Sequence, residues 1–206
     1  MLETMLKILK NIRNSFFLIA VLCLSFSNLE AKNSKDVSNT EVKKKTISHK
    51  KKYSLNLVNS KDGHPVRSGK KSYRFEVRLG DCGKDSGHDD CKKDRQRTEL
   101  QFKKHQMGKK DHWYSASIYL PEDYQSVAPV RTTFAQLYEK GWKPILMVTD
   151  RSGEWLEVGR MWSGEYVEMK KAIRINDMRG KWIDLLINAR YSREENGFMK
   201  VWINNK

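Results

Sequence analysis

Two short stretches hold side chains that could do chemistry on a charged substrate. In RTEL, Arg97 and Glu99 stand two residues apart. On an extended chain that spacing puts both on one face, with Leu100 and Phe102 on the other. The Arg97 guanidinium is a planar fork that matches the two oxygens of a carboxylate. Glu99 suits orienting Arg97 better than meeting a polyanion. The same two residues would also serve as a cross-strand ion pair on a solvated face. In TTFAQLY (132–138), Gln136 and Tyr138 share a face and Ala135 and Leu137 lie opposite. An unperturbed tyrosine has a pKa near about 10. Tyr138 therefore needs nearby positive charge, from Arg97, Lys140 or Lys143, to act as a base at neutral pH. Otherwise it can serve as an acid or as a flat surface for stacking. Trp142-Lys143 sets an aromatic ring beside a cation, although a tryptophan buried in the core fits equally well. Glu154 and Glu157 bring to mind the two carboxylates of a glycoside hydrolase. Three apart on a strand they face opposite sides, which argues against that chemistry.

The elements that must position these residues are strands. Residues 72–79 (SYRFEVRL) alternate, with Tyr73, Phe75, Val77 and Leu79 on one side and Arg74, Glu76 and Arg78 on the other. Further strands are expected at 97–102, 113–120, 132–138, 144–149, 155–158, 166–170, 181–191 and 198–203, with Pro121-Glu122-Asp123 and Asp150-Arg151-Ser152-Gly153 as turns. No long segment carries an apolar stripe of helical period. The pattern predicts an all-β sandwich or barrel. In it, Trp182 and Trp202 alternate with apolar neighbours and read as core. The chain closes on Asn204-Asn205-Lys206, a hairpin turn without a return strand. Either this strand ends at the surface or the sandwich lacks its last C-terminal strands.

The chain has 206 residues and a formal charge of +15, enough length for one domain with a real core. Lys7, Lys10 and Arg13 precede an apolar run, FFLIAVLCLSF (16–26), and a cleavage site is plausible after Ala31. Residues 1–31 thus read as a signal peptide, with an N-terminal anchor helix as the alternative. Removing them takes away three bases and two acids, so the mature chain stays strongly basic. Residues 32–52 are rich in Lys, Ser, Asn and Thr and read as a basic disordered linker. The folded domain is expected over 53–206. Such a charge favours an anionic partner. An exported, periplasmic or secreted protein would meet acidic polysaccharides. No helix-turn-helix, zinc-finger or RNP-like signal points to nucleic acid. No membrane span is expected after cleavage, and a monomer is the simplest state.

Export leaves Cys82 and Cys91 as an even pair in an oxidising compartment, and a disulfide is expected. Closing that loop contributes about 2–3 kcal/mol in the chain-entropy model. A metal site with His64 or His88 is the alternative, but the spacing matches no usual zinc pattern. No cofactor is expected. Asp81, Asp85, Asp89 and Asp90 could hold a structural calcium, although solvated acids fit them better. His105 and His112 sit among lysines and read as a solvated basic loop, with polyanion contact as the alternative.

Several blocks carry a family resemblance in the right order: FEVRLGDCG (75–83), DDC (89–91), RQRTEL (95–100), WYSASIYLPEDY (113–124), RGKWID (179–184) and GFMKVWIN (197–204). Together they resemble secreted polysaccharide lyases of the heparin-lyase-I-like type, and RTEL also resembles related alginate lyases. The resemblance implies a concanavalin-like β-jelly roll that holds a uronate-containing chain and cleaves it by β-elimination. That reaction needs the sugar carboxylate neutralised, a base for the C5 proton and an acid for the leaving oxygen. Arg97 and Gln136 would neutralise the carboxylate. Tyr138 stands where the related lyases carry a histidine in Q-x-H, so it falls to Tyr138 to be base or acid. Arg95, Glu99, Trp142 and Lys143 would contact substrate. The catalytic tyrosine that those lyases carry nearer the C-terminus has no place before Lys206. Two other readings stand beside catalysis. One is a lectin-like module that binds acidic polysaccharide without turnover. The other is an adhesive protein acting through its lysine-rich tail.

Overall fold

The computed structural model describes residues 45–47, 50–85, 87–101, 110–138, 143–192 and 194–206, with 45–47, 85 and 88 as backbone only. The chain divides into two compact units, one of residues 1–47 and 99–104, the other of residues 48–98 and 105–206. In the first, β1 (Lys45–Ile47) pairs antiparallel with β6 (Glu99–Gln101). This short strand lies inside the stretch expected to be a disordered linker, and departs from that expectation. The signal-peptide reading falls on residues outside those described.

The second unit holds two larger sheets. β8 (Thr132–Tyr138), β9 (Pro144–Asp150), β10 (Trp155–Trp162) and β11 (Glu165–Arg174) form an antiparallel meander in the order β11-β10-β9-β8. β7 (Asp111–Leu120), β12 (Lys181–Arg190) and β13 (Phe198–Ile203) form the other, in the order β13-β12-β7. Between them lies one apolar cluster: Leu146, Val148 and Leu156 from the first sheet face Leu120, Ile183, Leu185 and Ile187 from the second. The fold is therefore an all-β sandwich of antiparallel sheets, as the strand pattern predicts. A four-residue helix, α1 (Ile175–Met178), carries the chain from one sheet to the other and seals the cluster with Ile175 and Met178, both fully buried. Each fully buried aliphatic side chain of this kind contributes about 1.5–3 kcal/mol. Among the described residues no helix is long and apolar enough to cross a membrane.

Local chemistry sets the turns. Asp150 Oδ1 accepts from the Gly153 N–H at 2.8 Å and Ser152 Oγ accepts from the Glu154 and Trp155 N–H groups, so the chain reverses sharply between β9 and β10. Ser163 and Gly164 both take positive φ, the two-residue turn that suits the twist of a hairpin.

Two smaller hairpins belong to the same unit: β2 (Leu55–Asn59) with β3 (Lys71–Phe75), and β4 (Lys84–Asp85) with β5 (His88–Asp89). β3 stops four residues before the end of the alternating run. Asp81 draws the chain round instead: its carboxylate accepts from the Arg78 N–H at 2.7 Å and its own N–H reaches the Arg78 carbonyl at 2.9 Å. Leu79 is left 98% exposed. The tryptophans expected in the core also lie elsewhere. Met199, Val201 and Ile203 are the β13 residues against the apolar cluster, so Trp202 points to the opposite face and stacks on Trp113. Trp182 likewise alternates with buried Ile183 and meets Tyr119 on that outer face.

Candidate active site

Residues directly opposite one another in an antiparallel sheet share a face. Leu146 and Val148 of β9 point into the apolar cluster, so Met147 and Thr149 point out. Register then defines the outer face of the four-stranded sheet. One row runs Gln136, Met147, Gly159, Met169, and the next Thr133, Thr149, Glu157, Lys171. Ala135 and Leu137 pack against the core, as their alternation predicts. Gln136 is thus on the outer face, and Tyr138 joins it there: the phenol donates to Gln136 Oε1 at 2.9 Å.

The middle of this face is filled by a residue that sequence reasoning missed. Tyr166 of β11 folds its ring over Gly159, where a Cβ would stand 2.3 Å from the ring carbon Cε1. Only glycine leaves room for it. The Tyr166 hydroxyl lies 3.8 Å from Met147 Sδ, next to the Gln136 row, and accepts from Arg131 Nη1 at 3.1 Å. Arg151 reaches the same ring, with Cζ 5.1 Å from its centre. Glu157 is buried on this face, and its Oε2 has no hydrogen-bond partner among the described residues. Glu154, by contrast, is exposed and bonded to Arg174 at 2.7 Å. The two acids differ in environment but do not face each other across a shared space, so the hydrolase reading gains nothing.

Arg97 is positioned by a different device. The Cys82–Cys91 disulfide forms as expected, with the Cα atoms 5.1 Å apart. Asp90, beside Cys91, is only 1% exposed. Its N–H donates to the Gly83 carbonyl at 2.9 Å, and its own carbonyl accepts from Lys93 and Arg95. The carboxylate so fixed accepts from Arg97 Nε at 2.9 Å. Asp90 therefore orients Arg97. Arg97 precedes β6 and Glu99 lies within it, in different units. The reading of the loop acids as solvated is corrected too. Asp81 is buried and accepts from Tyr53 Oη at 2.9 Å, while Asp89 accepts from the Lys92 N–H and lies 3.4 Å from Lys84 Nζ. Asp81, Asp89 and Asp90 each accept from a protein donor, while Asp90 Oδ1 is buried without one among the described residues. Among the described residues no group of three or more His, Cys, Asp and Glu is placed to hold a metal.

Of the remaining expected contacts, Lys143 is exposed and bonded to Ser163 Oγ at 3.1 Å, and Arg95 is exposed. Trp142, Lys140 and His105 lie outside the described residues. His112 is not in a solvated loop. It is half-buried in β7, its ring stacked on Tyr114 and tilted against Tyr191, with Nε2 buried and unpartnered among the described residues. The Tyr191 hydroxyl donates to Tyr114 at 3.3 Å, and burial first, then that hydrogen bond, raises its pKa. Tyr124, bonded to Asp150 at 3.0 Å, is pushed up to about 12, chiefly by burial.

The profile of the polysaccharide lyase family matches residues 37–206, most of the chain. The chain belongs to the polysaccharide lyase family. No curated protein and no solved structure matches it. For a polysaccharide lyase, the outer face of the four-stranded sheet has suitable chemistry. It carries an amide and a phenol already in contact, a second phenol on a glycine, and guanidinium groups at one end.

Proposed function

We propose that this polysaccharide lyase is of the heparin-lyase-I-like type and cleaves a uronate-containing polysaccharide by β-elimination outside the cytoplasm. The observation that carries the reading is the Tyr138–Gln136 hydrogen bond on the outer sheet face. With its oxygen accepting from the phenol, the Gln136 amide offers only donors at its other end, the polarity a carboxylate needs. Arg97, steadied by Asp90, supplies the second carboxylate contact and the charge that makes the C5 proton removable. Tyr138 then exchanges the proton: as the phenolate it takes the C5 hydrogen, and as the phenol it protonates the departing O4. Arg95, Trp142 and Lys143 are proposed to line the sugar chain. The disulfide suits an oxidising compartment, periplasmic or secreted.

The test is turnover of alginate, polyglucuronate, heparin and pectate, read by the ultraviolet absorbance of unsaturated uronate ends. Tyr138→Phe should abolish the product while leaving polymer binding within about threefold, since it removes one neutral hydroxyl. A fully active Tyr138→Phe would remove Tyr138 from the mechanism. One observation favours the lectin-like reading. The Tyr138 hydroxyl donates to Gln136 Oε1, a hydrogen bond that a purely binding residue would also make. Tight polymer binding without unsaturated ends across the panel would establish it.

A further inference from the structure

We propose that Arg131 and Arg151, with Tyr166 between them, form a subsite for the anionic group of a sugar, two rows along the outer face from Gln136. The inference rests on reading the outer sheet face as the substrate face. Arg131 immediately precedes β8 and Arg151 immediately follows β9. The last register pair of these strands is Thr132 with Asp150, so the two arginines sit side by side across the strand ends. Both guanidinium groups approach the one Tyr166 ring, and like charges so gathered repel each other unless something negative lies between them. Elsewhere the protein supplies it: Arg67 pairs with Asp184, Arg190 with Asp111 and Arg97 with Asp90. Among the described residues neither Arg131 nor Arg151 has a carboxylate partner. Arg131 instead donates to the Tyr166 hydroxyl, and Arg151 donates to Met169 Sδ at 3.7 Å and covers the Tyr166 ring.

The platform is built rather than incidental. Tyr166 lies flat only because Gly159 has no side chain beneath it, and its hydroxyl is held between Arg131 and Met147. An aromatic ring with a guanidinium at its hydroxyl and another over its face offers a stacking surface and two forks for a carboxylate or sulfate. Glu157 shares the face and is buried, so the anion is received at the guanidinium end of the Tyr166 ring. Gln136 and Tyr166 both adjoin Met147. A glycan passing over the Gln136–Tyr138 pair therefore lays a neighbouring residue on this platform.

The experiment measures binding of the full chain to polyglucuronate (carboxylates only), dextran sulfate (sulfates only) and neutral dextran, with turnover assayed in parallel. Arg131→Ala/Arg151→Ala should weaken binding of an anionic polymer roughly 10- to 100-fold, the loss of two charge-assisted contacts. A charge-matched control, Arg160→Ala/Lys170→Ala, removes two exposed cations that lie instead beside Glu168. It should weaken binding less than about threefold, as general screening allows. A selective loss on polyglucuronate identifies a carboxylate site, and one on dextran sulfate a sulfate site. Gly159→Ala, which displaces Tyr166, should reproduce part of the loss with both arginines intact. Equal losses in the double variant and its control, an unchanged double variant, or a wild-type chain that binds neither anionic polymer would each overturn the subsite. A double variant that loses binding while the wild type shows no turnover supports the subsite and removes only the catalytic reading.

Discussion

The disulfide loop and the outer sheet face both present arginine, in opposite ways. Arg97 is 22% exposed, and its Nε is tied to a carboxylate that is itself buried, hydrogen-bonded through its backbone and joined to a disulfide. Arg131 and Arg151 rest on a tyrosine and a thioether, with no acid to neutralise them among the described residues. The first arrangement fixes direction at the expense of charge. The second keeps charge at the expense of stability. A lyase for a polyanion needs both: a cation aimed at the one carboxylate whose sugar reacts, and cations that hold neighbouring sugars wherever they lie.

The comparison breaks most easily at Asp90. Asp90→Ala takes the buried carboxylate away from Arg97 and should cost about 3–5 kcal/mol. Chemical denaturation measures it, and a neutral variant would show that Asp90 does not hold Arg97. Turnover should fall in kcat more than in KM, because Arg97 loses its aim and not its charge. Asp90→Asn keeps an acceptor and should recover part of both. Replacing Cys82 and Cys91 with serine should cost about 2–3 kcal/mol. Binding at the Arg131–Arg151 end should stay at the wild-type level, and equal damage there would merge the two regions. On the outer face, Glu157→Gln removes the charge of a buried carboxylate with an unpartnered oxygen and should raise stability by about 1 kcal/mol. A thermal shift downward would show that Glu157 has a partner beyond the described residues.

Smaller effects come from pH. Glu76 of the loop region is held below the usual carboxylate value of 4.5, first by its hydrogen bond from Arg78 and further by Arg74. Its contribution is fully present above that value and is lost as pH falls through its lower folded pKa. Tyr124, beside the β8–β9 end, rises from 10.0 to about 12. Its contribution is fully present below 10 and is lost as pH rises toward 12. Hydrogen exchange should therefore open the loop region first in acid and the sheet end first in alkali. Opening in the reverse order would contradict both assignments.

How far the sequence could be read follows the same division. β8 and β13 match the expected 132–138 and 198–203, because each alternates cleanly and is bounded by turn residues. β10 and β11 run longer than expected. Met161 of β10 is buried on the outward side and β11 is an exposed, lysine-rich edge, so neither shows simple alternation. The residues Gln136 and Tyr138 were legible because two-residue spacing on a strand is local information. The part of Asp90 was not, since DSGHDD looks solvated until a disulfide and three backbone hydrogen bonds bury it. Arg131 and Arg151 were invisible for a related reason. They lie twenty residues apart, and only the β8–β9 register makes them neighbours. Trp202 misled because both faces of β13 carry large apolar residues, and composition alone does not say which one meets the core.

The most direct test is product analysis of the wild-type chain on polyglucuronate and alginate, beside Arg97→Ala, Gln136→Ala and Tyr138→Phe. Unsaturated uronate ends from the wild type, and a loss of at least about a hundredfold in each variant at unchanged fold, are the expected result. A wild-type chain that binds these polymers and leaves every glycosidic bond intact would contradict catalysis by the Arg97, Gln136 and Tyr138 set.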